Sequence, residues 1–390
     1  MKRYISSIVI VVVILLSIGT YYVKVASSAS NLPKLTFKTV EGDEKELQSV
    51  VMEGYYDEGS LSEPFHVESN KVKYEKEQSY FENRFNFYDP NYERLVKEYR
   101  SFMRGKKYIE TYYEDQDNLT FGTVNIDYKD RKYSSNFNID SLEKRNKEEK
   151  SFEIDVPEQE KYEDITVRDI QFIQSKLQII TQNDVVSNDG KNTGEIHLYT
   201  IDLAGKKVVS DETILSETFD SSNQGHFAMP SKVVGKPNNV FIIALVKGSY
   251  SDEGEFKEKV GESSLFSYHY DTKKLQEIKP PKEENFTFEV AEKDYSYDEK
   301  NLYMMEWGDE KTRIWSFDLD KQKIINDYTL DSAEFTRVVD GRIFAISRGK
   351  LLIADAESGK TLYKGKLVIN SDDQKKDTVQ RIQFRDVYIK

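Results

Sequence analysis

A hairpin-sized pattern returns four times between residues 196 and 362, and it narrows the fold more than any other property of the chain. It reads IHLYTIDLAGKKV at 196–208, SLFSYHYDTKKL at 264–275, RIWSFDLDKQKI at 313–324 and LLIADAESGKTL at 351–362. In each copy alternating apolar residues run into an acidic or polar turn that ends in Gly or Lys. The chain then returns through an aliphatic residue, as two antiparallel strands joined by a tight turn do. Aligned on Val208, Leu275, Ile324 and Leu362, the copies lie 67, 49 and 38 residues apart. The last two intervals suit one small sheet each, and the first leaves room for an insertion. A further strand is expected ahead of each hairpin, at 170–180, 240–246, 302–307 and 342–347. A unit of three or four short strands cannot bury both faces alone, so several must stack.

These hairpins resemble the outer strand pairs of β-propeller repeats of the quinoprotein and YVTN kind. There an aromatic or Ala precedes Asp, a turn follows, and Gly-Lys leads into an aliphatic residue; 351–362 matches that pattern best. The resemblance covers about a third of the chain. It implies a mainly β fold, a β-propeller of six or seven blades, and no activity. The Trp-Asp dipeptide of WD40 repeats is absent, since Trp315 is followed by Ser316.

The rest of residues 34–390 reads as part of the same propeller-like domain. Leu35, Phe37 and Val40 alternate ahead of a turn at Glu41, Gly42 and Asp43, and a second strand is expected over 47–52. Segments 108–113, 119–128 and 133–139 suit another sheet, with Asp130 and Arg131 in a turn. A last strand is expected over 381–389, through Ile382, Phe384 and Val387. If the ring closes through its termini, the strands at Leu35 and Val387 share a blade. One helical insertion, 89–105, is marked by Asp89 as cap, Pro90 at the first helical position, an apolar stripe through Leu95, Val96, Tyr99, Phe102 and Met103, and Gly105 as stop. Residues 140–164, dominated by Glu, Lys and Asp, are expected to form a charged surface loop or boundary. An independent N-terminal α+β domain is the competing division.

Residues 1–24 set the location. Between Arg3 and Lys24 no residue is charged, and about 20 helical residues span roughly 30 Å of hydrocarbon. A single transmembrane helix is expected, with Lys2 and Arg3 holding the N-terminus in the cytoplasm. The linker 25–33 leads into an extracellular C-terminal domain. Small residues at 25–30 leave a cleaved signal peptide as the rival reading, which Tyr21, Tyr22 and Lys24 oppose. Either reading exports the domain.

Composition removes several kinds of chemistry. The chain has no Cys, so disulfides, thiolate metal sites and a cysteine nucleophile are excluded. Its net charge of −13 repels nucleic acid. Four histidines, His66, His197, His226 and His269, lack metal-site spacing, and His197 and His269 are expected as half-exposed strand residues. Gly359, Lys360 and Thr361 mimic the end of a phosphate-binding loop, but Ala354 stands where its first glycine belongs and a strand follows. Ser347 with Lys350 and Ser141 with Lys144 match a serine-lysine spacing outside any helix. The clusters Glu114, Asp115, Asp117 and Asp184, Asp189, Glu195 lack the glycine and glutamate pattern of a calcium loop. The aromatics Tyr80, Phe81, Phe85, Phe87, Tyr88 and Tyr92 read as seating the helix that follows, with sugar stacking as the rival reading.

No catalytic, cofactor or metal residue is assigned. The expectation is a non-enzymatic, membrane-anchored binding or scaffold protein of a bacterial envelope, whose partner is an envelope protein or cell-wall polymer. A regulatory ectodomain acting on a membrane sensor is the second reading, and a surface glycosidase-type hydrolase the third.

Overall fold

Among the described residues, six sheets of four or five strands account for the body of the protein. The structure is a computed structural model. It describes residues 32–58, 61–77, 90–106, 111–130, 132–186, 191–220, 224–229, 231–232, 237–250, 256–259, 262–279, 294–307, 311–331, 333–347, 349–370 and 377–389, with scattered positions from 10 to 20.

In chain order the strands are β1 (Lys34–Gly42), β2 (Val50–Glu58), β3 (Leu61–Glu68) and β4 (Lys71–Tyr74), followed by helix α1 (Pro90–Glu98). Next come β5 (Tyr112–Glu114), β6 (Asn118–Lys129), β7 (Lys132–Glu143), β8 (Glu148–Asp155), β9 (Tyr162–Ile173), β10 (Lys176–Val185), β11 (Asn192–Asp202) and β12 (Lys207–Phe219). They are followed by β13 (Gln224–Ala228), β14 (Ser231–Lys232), β15 (Val240–Tyr250), β16 (Phe256–Glu258), β17 (Ser264–His269) and β18 (Lys274–Ile278). The last are β19 (Asp294–Tyr297), β20 (Asn301–Trp307), β21 (Lys311–Asp318), β22 (Lys323–Asp331), β23 (Phe335–Val339), β24 (Arg342–Ser347), β25 (Lys350–Asp355), β26 (Thr361–Asn370) and β27 (Ile382–Ile389).

The chain divides into two compact units. Residues 1–98, 308–312 and 330–390 form the first, and residues 99–307 and 313–329 the second. The second unit contains the meanders β5-β6-β7-β8 and β9-β10-β11-β12, a sheet ordered β13-β15-β17-β18 with β16 beside β15, and nearly all of a sheet ordered β14-β19-β20-β21-β22. The two-residue β14 pairs with β19 in parallel, while the meanders and the β13-β15-β17-β18 sheet are antiparallel among the described residues.

Stacking of these sheets explains the apolar runs in their middle strands. Ile179 packs with Phe137 and Ile139 of the preceding sheet, while its neighbour Ile180 packs with Phe241 and Ile243 of the following one. Ile242 in turn packs with Leu302, Met304 and Trp315 of the next. Successive residues of a strand point to opposite faces, so a strand buried on both faces must be apolar at every position. The run VFIIALV in β15 follows from that.

In the first unit, both ends of the chain enter both sheets. β1 is the outermost strand of the sheet β1-β26-β25-β24-β23, and β27 pairs with β2 in the sheet β27-β2-β3-β4. Leu35 and Val387 therefore lie in different sheets, which corrects the expected shared blade; they meet instead in one core with Phe37, Met52, Phe65 and Ile353. Asn70, in the β3-β4 turn, bonds both the N–H and the carbonyl of Phe37.

All four repeated hairpins are present, as β11-β12, β17-β18, β21-β22 and β25-β26. Each turn ends in a left-handed residue just before the lysine: Lys206, Lys273, Gln322 and Gly359. The residue that opens the turn is locked from behind in three of them. Tyr270 N–H donates to Asn239, Leu319 to Lys300 and Ala356 to Gly341, at 3.0, 2.8 and 2.8 Å. In three hairpins the strand-ending aspartate caps the turn: Asp202 accepts from Ala204 N–H, Asp318 from Asp320 and Lys321, and Asp355 from Ser358. The Ser358 hydroxyl and N–H hold the Asp355 carboxyl below its usual range, so this support is present above about pH 4 and fades as acid protonates it. Asp355→Ala is expected to cost about 1 kcal/mol in urea unfolding, whereas Asp355→Asn, which keeps an acceptor, should cost less.

Three local expectations change. The segment 140–164 is no loop: it holds the end of β7, all of β8 and the start of β9. β8 is an edge strand, so Glu149, Ser151, Glu153 and Asp155 face outward while Ile154 is buried, and its charge marks a solvated sheet edge. The strand expected over 170–180 is two strands joined by a turn at Gln174 and Ser175, both left-handed without being glycine. Helix α1 stops at Glu98, short of Gly105. Met103 N–H still reaches Tyr99, but Arg104 and Lys106 bond three residues back, so the chain closes as tight turns ending at left-handed Gly105. Asp89 lies outside the described residues, as do residues 107–110 of the expected 108–113 strand, which is described only as β5.

Among the described residues no helix is long and apolar enough to cross a membrane. The span expected over residues 4–23 falls largely outside them. Its described positions are helical, and Ile10, Val12, Val13, Ile14 and Leu16 are 47–64% exposed.

Candidate functional site

The densest polar cluster among the described residues lies inside the β9-β12 sheet. Glu195, His197 and Tyr199 follow one another at alternate positions of β11 and so project from one face. That face packs on the preceding sheet, where the Tyr199 ring meets Phe137 at 5.1 Å. His197 is only 3% exposed, which corrects the half-exposed position expected for it. The other expected strand histidine, His269, is half-buried in β17.

Both His197 ring nitrogens face carboxylates. Nδ1 lies 2.7 Å from Asp211 Oδ1 of β12, and Nε2 lies 2.9 Å from Glu195 Oε2. Lys161 Nζ donates to both Glu195 oxygens at 2.8 and 3.0 Å, and the Tyr162 hydroxyl lies 3.2 Å from both Glu195 and Nε2. Tyr199 stacks on the imidazole at 14° and its hydroxyl accepts from Asn183, whose own oxygen accepts from Thr181. Thr213 Oγ1 is more distant, 3.5 Å from Nε2.

With the His197 ring protonated, the two carboxylates balance lysine and imidazolium. Burial pulls the His197 pKa down, but its hydrogen bonds to Asp211 and Glu195 and their charges outweigh that and raise it above the ordinary value. For Glu195, burial raises the pKa and Lys161 with His197 overcomes it, so the carboxyl stays charged. Tyr162 is pushed up to about 12, by burial first and then by Glu195. The phenol therefore remains a neutral donor. Threonine, histidine and aspartate sit here in the order of a nucleophile relay, with Thr213 at 3.5 Å and the imidazole held between carboxylates of β11 and β12.

A second buried carboxylate is held the same way. Asp169 of β9, 2% exposed, accepts from the Tyr270 hydroxyl at 2.7 Å, the Gln171 amide and Ile170 N–H. Gln171 Oε1 accepts from Asn238 N–H at 3.0 Å, which joins β9 to the loop before β15. The polar groups around His197 thus join strands of one sheet, whereas those around Asp169 join β9 to Tyr270 and Asn238 beside the neighbouring sheet.

The motif candidates fall at separate places in the fold. Among the described residues no group of three His, Asp or Glu is arranged to hold a metal ion. Glu114 is paired with Lys144 at 2.6 Å, Asp117 with Arg145 at 2.9 Å, and Asp115 caps the turn at Asp117 and Asn118. Of the other acidic cluster, Glu195 belongs to the histidine network, Asp184 stands across from Asp164 in a neighbouring strand, and Asp189 lies outside the described residues. Lys144 is committed to Glu114, away from Ser141, whose hydroxyl meets Thr120. Ser347 and Lys350 pair across the β24-β25 turn, and Gly359 leads into β26. Tyr92 is buried on α1, whereas 80–88 lies outside the described residues.

No protein-family profile matches the chain, and no curated protein does. Among solved structures it is similar to the Dos1 propeller at 7% identity and a TM-score of 0.28, covering 66% of this chain and 61% of that one. It is also similar to hydrazine synthase of Kuenenia stuttgartiensis, at 12% identity and 0.28, covering 64% and 71%. A mutant Synechocystis apocarotenoid oxygenase gives 11% identity and 0.29, covering 87% and 81%. The chain thus spans less than two thirds of the Dos1 propeller's length. Its six blade-sized sheets and repeated outer hairpins resemble those of β-propeller repeat proteins.

Proposed function

We propose that this chain is a membrane-anchored extracytoplasmic binding protein of the cell envelope, a six-bladed propeller held by its N-terminal helix. The observation that carries the reading is the pattern of exposure at the N-terminus. Ile10, Val12, Val13, Ile14 and Leu16 are all about half exposed or more on helical backbone. At about 100° per residue they spread over more than half of the helix circumference, and in the sequence Val11 and Leu15 continue the apolar run; a helix apolar all round is stable only in lipid or inside a larger body. The charge-free sequence from Tyr4 to Val23 is long enough for lipid. The body supports a binding role, because stacked sheets with both faces buried leave loops as the variable surface, and the buried His197 and Asp169 each hold partners of their own, Asp211 and Tyr270.

Fractionation with surface proteolysis tests the reading. The full-length protein is expected in the membrane fraction after alkaline extraction, and a C-terminal tag should be cut by protease added to intact cells. A soluble protein, or a tag shielded until lysis, would refute it. Capture of envelope proteins and cell-wall polymers then identifies the partner. Exchanging residues 1–24 for an unrelated anchor should leave a partner of the body bound, whereas one held through the helix would be lost.

A further inference from the structure

We infer that His197 is a proton-dependent clamp: its doubly protonated ring ties Glu195 of β11 to Asp211 of β12, and loss of one proton frees the central segment of the edge strand β12. The backbone ladder is interrupted on both sides of the clamp. β11 and β12 lose register between Ile196 and His197 and again between Thr200 and Ile201, so residues 197–200 pair with 210–213 as an island between two irregularities. β12 is the outermost strand of its sheet. An island of four pairs on an edge strand depends on its side chains more than a continuous ladder does.

The ring's surroundings define what a proton does. Lys161 and Tyr162 face it from the start of β9, Thr181 and Asn183 from β10, Glu195 and Tyr199 from β11, and Asp211 and Thr213 from β12. The packed sheet brings Phe137 against Tyr199. On the other face of β12, Glu212 pairs with Lys273 at 2.9 Å, in place whether or not the ring is charged. With both ring nitrogens protonated, each donates to a carboxylate and the charges balance. A neutral ring carries one hydrogen, so one carboxylate then faces a nitrogen lone pair and the cluster holds an unbalanced negative charge. Tyr162 can turn its hydroxyl to Nε2, but only by leaving Glu195. Because the folded ring holds its proton more tightly than a free one, the clamp is complete below about pH 6.5 and opens as pH rises through the higher folded value.

The test follows the ring and the strand together in the full-length protein. Histidine-selective isotope labelling gives four ring signals, and His197→Gln assigns the one that matters. Its titration midpoint is expected above that of free histidine. Over the same pH interval, hydrogen exchange of residues 197–200 and 210–213, corrected for intrinsic base catalysis, should accelerate about tenfold. Asp211→Asn should lower the midpoint and shrink the step, and His197→Gln should abolish it. If a variant fails to fold, the wild-type titration and exchange decide alone. A ring that is neutral across the range, or one that titrates without any step in exchange, would overturn the clamp.

Discussion

Deleting residues 382–390 is expected to unfold the first unit. β27 pairs with β2 from Val50 to Tyr56, and the loss exposes a backbone edge together with the side chains it covers. Ile382 and Val387 are 5% and 2% exposed, and the Phe384 ring meets Phe37 at 6.0 Å and Phe65 at 5.6 Å. Burying one such side chain contributes about 1.5–3 kcal/mol, so three together contribute at least ~5 kcal/mol before the unpaired strand is counted. That is comparable to the whole stability of an ordinary domain, about 5–15 kcal/mol. Thermal denaturation should lose the transition of this unit, and limited proteolysis should cut within residues 34–74, which are otherwise protected. An unchanged melting curve would mean that β27 is dispensable and that this pairing does not hold the first unit together. Phe384→Ala, which keeps the strand, should show a partial version of the loss.

Ile179→Ala and Ile180→Ala, made separately, are each expected to cost about 2–5 kcal/mol. In a sheet with one face in water, adjacent residues alternate between core and solvent, and one of the two changes would be nearly silent. Here both are 0% exposed, one against the preceding sheet and one against the following. Urea unfolding of the two variants reads the difference directly. A large effect from one and none from the other would contradict the stacked arrangement.

Much of the fold was legible because repetition and alternation are local properties. The four hairpins were readable from polar turns and aliphatic returns, and their physical basis is a left-handed residue before lysine in all four, with an aspartate cap in three. Charge was misleading at 140–164, because an edge strand bathed in solvent has a loop's composition; only Phe152, Ile154 and Val156, at alternate positions, distinguish it. The chain also hid a turn at Gln174 and Ser175, where two ordinary residues adopt a conformation more often given to glycine. The polar cluster left one sign, since Glu195 and His197 alternate with Ile196 and Leu198 in a strand buried on both faces. Lys161, Tyr162 and Asp211 left none, because they join from other strands.

By itself the sequence determined the kind of structure: an acidic, cysteine-free chain with one long apolar stretch, built from repeated antiparallel hairpins. Those features depend on neighbours a few residues apart, and spacing records them. The tertiary structure alone decided that both termini enter both sheets of the first unit and that His197 stands between Glu195 and Asp211. Such pairings are set by which faces find each other when apolar surface leaves water, a condition that joins residues tens to hundreds of positions apart and leaves no mark on either one alone.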